Sequence, residues 1–114
     1  MRGGNAAPRD ESQEMGVAAV TGSNPQAGLN AGRLYRILVV EDERRLREQI
    51  VEALILSGYE PVQAEDGPAA LISAATLPPD LILCDIRMPG MTGLEVLQQI
   101  RQTPGIADTP FIFV

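Results

Sequence analysis

The chain has 114 residues, 45% of them hydrophobic, with one cysteine, no histidine and no lysine among its nine basic residues. That length allows one domain and is too short for two, and the composition removes histidine catalysis, histidine metal ligation and a lysine nucleophile together. The net charge of −6 belongs to the part after residue 34, where six arginines face twelve acidic residues, which argues against nucleic acid as a direct partner.

Residues 1–34 carry Gly3, Gly4, Gly16, Gly22, Gly28 and Gly32, two prolines and scattered Asn, Ser and Gln. Their longest apolar run is Val17-Ala-Ala-Val20, and no helix or strand period passes through them, so they read as a disordered leader. The positive start lacks an adequate apolar segment after it, which argues against a secretory signal. No stretch approaches the length of a membrane span.

From Tyr35 the pattern becomes regular. Tyr35-Arg-Ile-Leu-Val-Val40 is continuous and rich in β-branched residues, as in a central strand of a parallel sheet. Glu43 to Ser57 reads as a helix with Leu46, Ile50 and Leu54 on its apolar face, Ala53 and Ser57 beside them, and Gly58 as a left-handed stop. Tyr59 to Ala64 alternates and contains Pro61, which points to an edge strand. Glu65 to Pro68 is a turn, and Pro68 suits the first turn of a helix reaching about Ala75, with Leu71, Ile72 and Ala75 as its apolar face. Pro78-Pro79 ends it and Leu81-Ile-Leu-Cys84 makes the next buried strand. Cys84 has no partner for an internal disulfide; a small buried side chain is its expected role, and a cytoplasmic location suits it. After a Pro/Gly-rich loop, Gly93 to Gln102 carries Val96, Leu97 and Ile100 at helical spacing. Thr103-Pro-Gly105 breaks that helix and Phe111-Ile-Phe-Val114 begins a fourth strand.

The order β-α-β-α-β-α-β implies right-handed crossovers and a parallel sheet covered on both faces. In such a sheet, ligands collect at the C-terminal ends of the strands. Two of those ends carry acid: Glu41-Asp42-Glu43 after the first strand and Asp85 after the third. If these strands are neighbours, the carboxylates lie a few ångströms apart, which is costly unless a cation neutralises them. A hard divalent ion such as Mg²⁺ takes oxygen ligands of this kind. The same acidic run also suits a helix N-terminus; that reading is taken for Glu43, expected to face solvent, and the metal reading for Glu41 and Asp42.

These residues resemble the receiver domain of bacterial two-component response regulators. The resemblance covers residues 35–114, as a partial receiver domain after the leader 1–34. It rests on Ile37-Leu-Val-Val-Glu-Asp-Glu43, Pro79-Asp-Leu-Ile-Leu-Cys-Asp85, Met88-Pro-Gly-Met-Thr-Gly93 and the separation of 43 residues between Asp42 and Asp85. It implies a flavodoxin-like, doubly wound α/β sheet of the 2-1-3-4-5 type. It also implies a signalling module rather than an enzyme, in which Asp85 takes a phosphoryl group from a sensor histidine kinase or phosphotransfer protein. Asp42 and Asp85 would bind Mg²⁺ directly, Glu41 through water, and Arg87 by its backbone carbonyl, while Pro89, Gly90 and Gly93 shape the loop. In-line phosphoryl transfer needs positioned and neutralised oxygens, which suits these residue types.

The resemblance also has gaps. The family's fifth strand, last helix, switch hydroxyl and lysine have no counterpart in this sequence, so the fold is expected to be C-terminally incomplete. The fourth strand would then be an apolar edge open to self-association, and the chain alone marginally stable or unfolded. Two further readings stand beside the phosphoacceptor: a pseudo-receiver that binds partners without phosphorylation, and a non-functional fragment of a longer regulator. An aspartate-nucleophile phosphatase fits less well, because Asp42-Glu43-Arg44 lacks the second aspartate of Asp-x-Asp.

Overall fold

The computed structural model describes residues 33–114 together with the backbone of Leu29–Asn30. The leader expected over 1–34 otherwise lies outside the described residues. Leu29–Asn30 pairs antiparallel with Arg33–Leu34. The main sheet has four parallel strands: β1 (Arg36–Val40), β2 (Glu60–Ala64), β3 (Leu81–Cys84) and β4 (Phe111–Phe113). Three helices connect them: α1 (Arg44–Leu56), α2 (Gly67–Thr76) and α3 (Gly93–Arg101). The spatial order is β2-β1-β3-β4, so β1 and β3 are central, and the Pro61 strand lies at one edge, as its proline requires.

Alternation along the central strands gives each face of the sheet its own core. Leu38, Val40, Ile82 and Cys84 pack with Ala70 and Ala74 of α2 and with Val96 and Ile100 of α3. Ile37, Val39, Leu81 and Leu83 pack with Leu54 and Tyr59, with Ile50 and Val51 of α1 at the margin. Because both faces are covered, these strands read as unbroken apolar runs. Each large side chain buried this way contributes about 1.5–3 kcal/mol.

The helix ends are locally encoded. At the end of α1 the Tyr59 N–H reaches the Leu54 carbonyl (3.0 Å) and the Gly58 N–H reaches Ile55 (3.0 Å), a Schellman closure that places Tyr59 and Leu54 in one cluster. Asp66 caps α2 by accepting the Ala69 N–H at 2.8 Å. At the start of α3, Thr92 Oγ1 accepts the Glu95 N–H while the Glu95 carboxylate accepts the Thr92 N–H, a reciprocal capping box.

Two helix faces differ from the sequence expectation. On α1, Leu46 is 40% exposed while Leu54 is fully buried, and the stripe toward the sheet runs through half-buried Arg47, Ile50 and Val51. On α2 the buried residues are Gly67, Ala70 and Ala74, whereas Ile72 is 69% exposed. Small residues bring α2 close to its neighbours; the Met91 side chain lies where a Gly67 Cβ would stand. A hydrophobicity pattern gives weight to Ile72 and little to alanine and glycine, so it set the face wrongly.

Near the expected start at Tyr35, Arg33 forks onto Asp80 (2.8 and 2.9 Å), and Asp80 also accepts the Arg36 N–H at 2.7 Å. The fork is half-exposed, with Arg33 at 45%, so solvent screening keeps its contribution to stability small.

The face assignment of α1 predicts that Leu54→Ala lowers the unfolding free energy by about 2–5 kcal/mol, while Leu46→Ala changes it by less than about 1 kcal/mol; denaturant titration of both variants checks this. A second prediction concerns Cys84, which is fully buried. Burial first, then the Asp85 and Glu41 charges, push its thiol from the ordinary 9.0 up to about 12. At pH 8 the native chain should therefore present roughly a thousandfold less thiolate to an alkylating reagent than the denatured chain does. Because the folded value is raised, the stability that Cys84 contributes is fully present below pH 9 and is lost as pH rises from there toward 12. A Cys84→Ala chain should lose less stability over that interval.

Candidate functional site

The register of the sheet builds the site. Val40 lies opposite Ala64 on one side and Cys84 on the other, so β2, β1 and β3 end level. Two further backbone bonds carry the ladder past those ends: Asp85 N–H to the Val40 carbonyl at 3.0 Å, and Glu41 N–H to the Ala64 carbonyl at 3.1 Å. Glu41 and Asp85 are thereby fixed side by side where the chain leaves the sheet.

Glu41, Asp42 and Asp85 each bring a carboxylate oxygen to within 4.8 Å of the others. Glu41 is buried at 3% exposure, Asp85 is half-buried and Asp42 exposed. Burial is the largest influence on Glu41 and raises its pKa; the Asp85 and Asp42 charges add to this, and the hydrogen bond from the Glu43 N–H (3.0 Å) opposes it. Glu43 itself is exposed and stands at the N-cap of α1 without a side-chain capping bond.

The donor set fits a hard divalent cation. It is oxygen only, anionic and open to solvent on the Asp42 side, the arrangement that Mg²⁺ or Ca²⁺ accepts. Cys84 lies beneath, its thiol directed to the Asp85 carbonyl at 3.2 Å; a protonated, buried sulfur is a poor ligand for such an ion.

The loop after β3 closes the site from the other side. The Arg87 N–H approaches Asp85 Oδ1 at 3.3 Å, long for a hydrogen bond, and the Arg87 and Pro89 side chains are exposed. Met88 is buried at 6% exposure and anchors the loop in the core. Gly90 turns the chain with φ +77°. Gly93 is required by space, since a Cβ there would run into the Asp85 carbonyl, and its N–H donates to Ile86 at 2.8 Å. An open groove of about 450 Å³ lies along Ile86, Met88, Pro89 and Leu94.

Glu41, Asp42 and Asp85 are thus brought together; Arg87, Pro89, Gly90 and Gly93 form the wall beside them. One neighbour is absent from the sequence reading. Arg47 donates through Nη1 to the Glu41 carbonyl at 2.8 Å and through Nε to Gln63 Oε1 at 3.0 Å. The available signal was an arginine one turn after Glu43, on the stripe that otherwise carries Ile50 and Leu54. Among the described residues no helix is long and apolar enough to cross a membrane.

The chain is similar to known proteins in sequence and in fold. The chain is 40% identical over 80 residues to the transcriptional regulatory protein YrkP of Bacillus subtilis, covering 70% of this chain and 33% of YrkP. Among solved structures it resembles the N-terminal domain of a response regulator receiver protein from Methanoculleus marisnigri, with TM-score 0.68, 39% identity, and 70% and 65% of the two chains covered. It also resembles the response regulator TrrA of Thermotoga maritima in complex with the histidine kinase ThkA, with TM-score 0.65, 42% identity, and 70% and 67% covered. TrrA has a further structure in complex with Mg²⁺ and BeF, at TM-score 0.59, 46% identity and 60% of each chain covered. The chain thus spans about a third of YrkP and about two thirds of the solved receiver chains. The response regulator receiver domain profile matches residues 37–114, which takes in both acidic strand ends and the loop between Asp85 and α3: the chain belongs to the response regulator receiver domain family.

Proposed function

We propose that the chain is the phosphoacceptor module of a two-component phosphorelay, with Asp85 as the acceptor. The observation that carries this reading is the convergence of Asp85 with Glu41 and Asp42 within 4.8 Å at the C-terminal edge of a parallel sheet. A carboxylate oxygen of Asp85 attacks the phosphorus of a phosphohistidine, the phosphorus–nitrogen bond breaks, and the histidine ring keeps its electron pair. The donor in this reading is a histidine kinase or phosphotransfer protein, in keeping with the ThkA complex of TrrA.

Asp42 and Asp85 would hold Mg²⁺ directly, with Glu41 acting through water and the Arg87 carbonyl as a further oxygen. Bound there, the ion supplies neutralisation and alignment of the phosphoryl oxygens. The protein's own contribution is orientation. The Val40–Asp85 backbone bond points the acceptor out of the sheet, the Glu43 N–H holds the Glu41 carboxylate, and Pro89, Gly90 and Gly93 hold the loop against Asp85. A cytoplasmic setting accords with a kinase partner and with the reduced, buried Cys84.

Two predictions test this. Incubated with acetyl phosphate and Mg²⁺, the chain should gain one phosphoryl group by intact mass, and Asp85→Asn should not; equal labelling of that variant would overturn the assignment. In thermal melts, Mg²⁺ with beryllofluoride should raise the parent's midpoint, because a ligand confined to the folded state adds about 2.7 kcal/mol at a hundred times its Kd. Asp42→Asn and Asp85→Asn should each remove most of that rise.

A further inference from the structure

We infer that Arg47 is a positioning residue for the acidic site, fixing the peptide that joins Glu41 to Asp42. The inference rests on the reading of Glu41, Asp42 and Asp85 as a divalent-cation site. Pairing of β1 with β2 has run out at the bond from the Glu41 N–H to the Ala64 carbonyl, so the Glu41 carbonyl lies beyond the last strand-to-strand bond on that side. Arg47 Nη1 meets it at 2.8 Å in a partly buried setting. A charged donor there makes a stronger bond than a neutral one.

The other polar groups of Glu41 are held as well: its N–H by the Ala64 carbonyl at 3.1 Å and its carboxylate by the Glu43 N–H at 3.0 Å. The peptide is a rigid plane. Holding its carbonyl therefore holds the Asp42 N and Cα, the base from which the Asp42 side chain leaves. The guanidinium is itself braced, because its Nε is bonded to Gln63 of the edge strand β2 at 3.0 Å and Arg47 N–H closes the first turn of α1 on the Glu43 carbonyl at 2.9 Å. One side chain thus ties α1, β2 and the end of β1 to the spacing of two carboxylates. It does so through the backbone, leaving the carboxylate oxygens free to meet a cation.

The test is a calorimetric titration of the full chain with Mg²⁺, run beside its thermal melt. Arg47→Met keeps the aliphatic stem and removes both donors; it should weaken Mg²⁺ binding about tenfold, as outer-shell partners of metal ligands do. Arg47→Lys, which keeps one charged donor, should recover part of that loss, and Gln63→Leu should show a smaller loss. Leu54→Ala, far along the same helix, lowers stability through packing alone and should leave the affinity of the folded protein unchanged. Binding by Arg47→Met within about twofold of the parent, or an equal loss in Leu54→Ala, would overturn the role of Arg47. Asp85→Asn separates the two readings. If it loses Mg²⁺ binding while Arg47→Met keeps it, only the Arg47 inference falls. If Asp85→Asn binds like the parent, the cation site falls and the inference with it.

Discussion

The crowding of three carboxylates at one end of a parallel sheet is the constraint on which the rest depends. It follows from register. With Val40 level with Cys84, the next residue on each central strand is acidic, and the Val40–Asp85 bond locks the two together. A slip of one residue would turn the Asp85 side chain to the opposite face and separate the charges. The cost of this arrangement is visible at Glu41, where burial and the charges of Asp85 and Asp42 all raise the pKa and only the Glu43 N–H opposes them. What holds it is apolar. Ile37, Leu38, Val39, Val40, Ile82 and Leu83 are at most 1% exposed, and at about 1.5–3 kcal/mol each their burial outweighs repulsion at a rim that water still reaches through Asp42.

As the proposed cation site, this cluster would couple folding to cation binding. The sheet sets the carboxylates before any ion arrives, so an ion that relieves their repulsion favours the folded state by mass action. The residue beneath them has a different task. Cys84 is enclosed by the core and overlain by negative charge, and both effects keep the thiol protonated. In the proposed cation site, sulfur would therefore stay out of the ligand set and leave the oxygens as the donors that a hard cation accepts.

Much of this architecture was legible in the sequence, because the central strands are unbroken apolar runs that end in acid and the turns carry glycine or proline where the chain reverses. The pairing of Asp42 with Asp85 needed only the assumption that the two strands are neighbours. The helix faces were harder. Ile72 and Leu46 drew the apolar stripe toward themselves, yet α2 packs through Gly67, Ala70 and Ala74, where close approach matters more than side-chain area. Arg47 was hidden for a related reason. Its importance lies in a backbone carbonyl, and no pattern of side-chain types reports where the carbonyls of a strand end will point. The Thr92–Glu95 capping box, by contrast, was written in the sequence as Thr-x-x-Glu and can be read from side chains alone.

The loop between Asp85 and α3 carries the consequence of that capping. Gly93 is both the first residue of α3 and the residue whose missing side chain admits the Asp85 carbonyl. Its N–H is bonded to Ile86, and the turn before it is closed at Thr92 by two reciprocal bonds. The N-terminus of α3 is therefore joined to the backbone of Asp85 with no flexible segment between them at the contact. Met88, buried in the core, restrains the intervening loop from inside, while Pro89 and Gly90 fix its turn. The Asp85 backbone thus has two fixed neighbours, the Val40 carbonyl of β1 through its N–H and Gly93 at the first turn of α3 against its carbonyl. The tight contact at Gly93 orients the acidic site from the α3 side, as the Val40–Asp85 bond does from the β1 side, and a side chain at position 93 would disturb the site without touching a carboxylate.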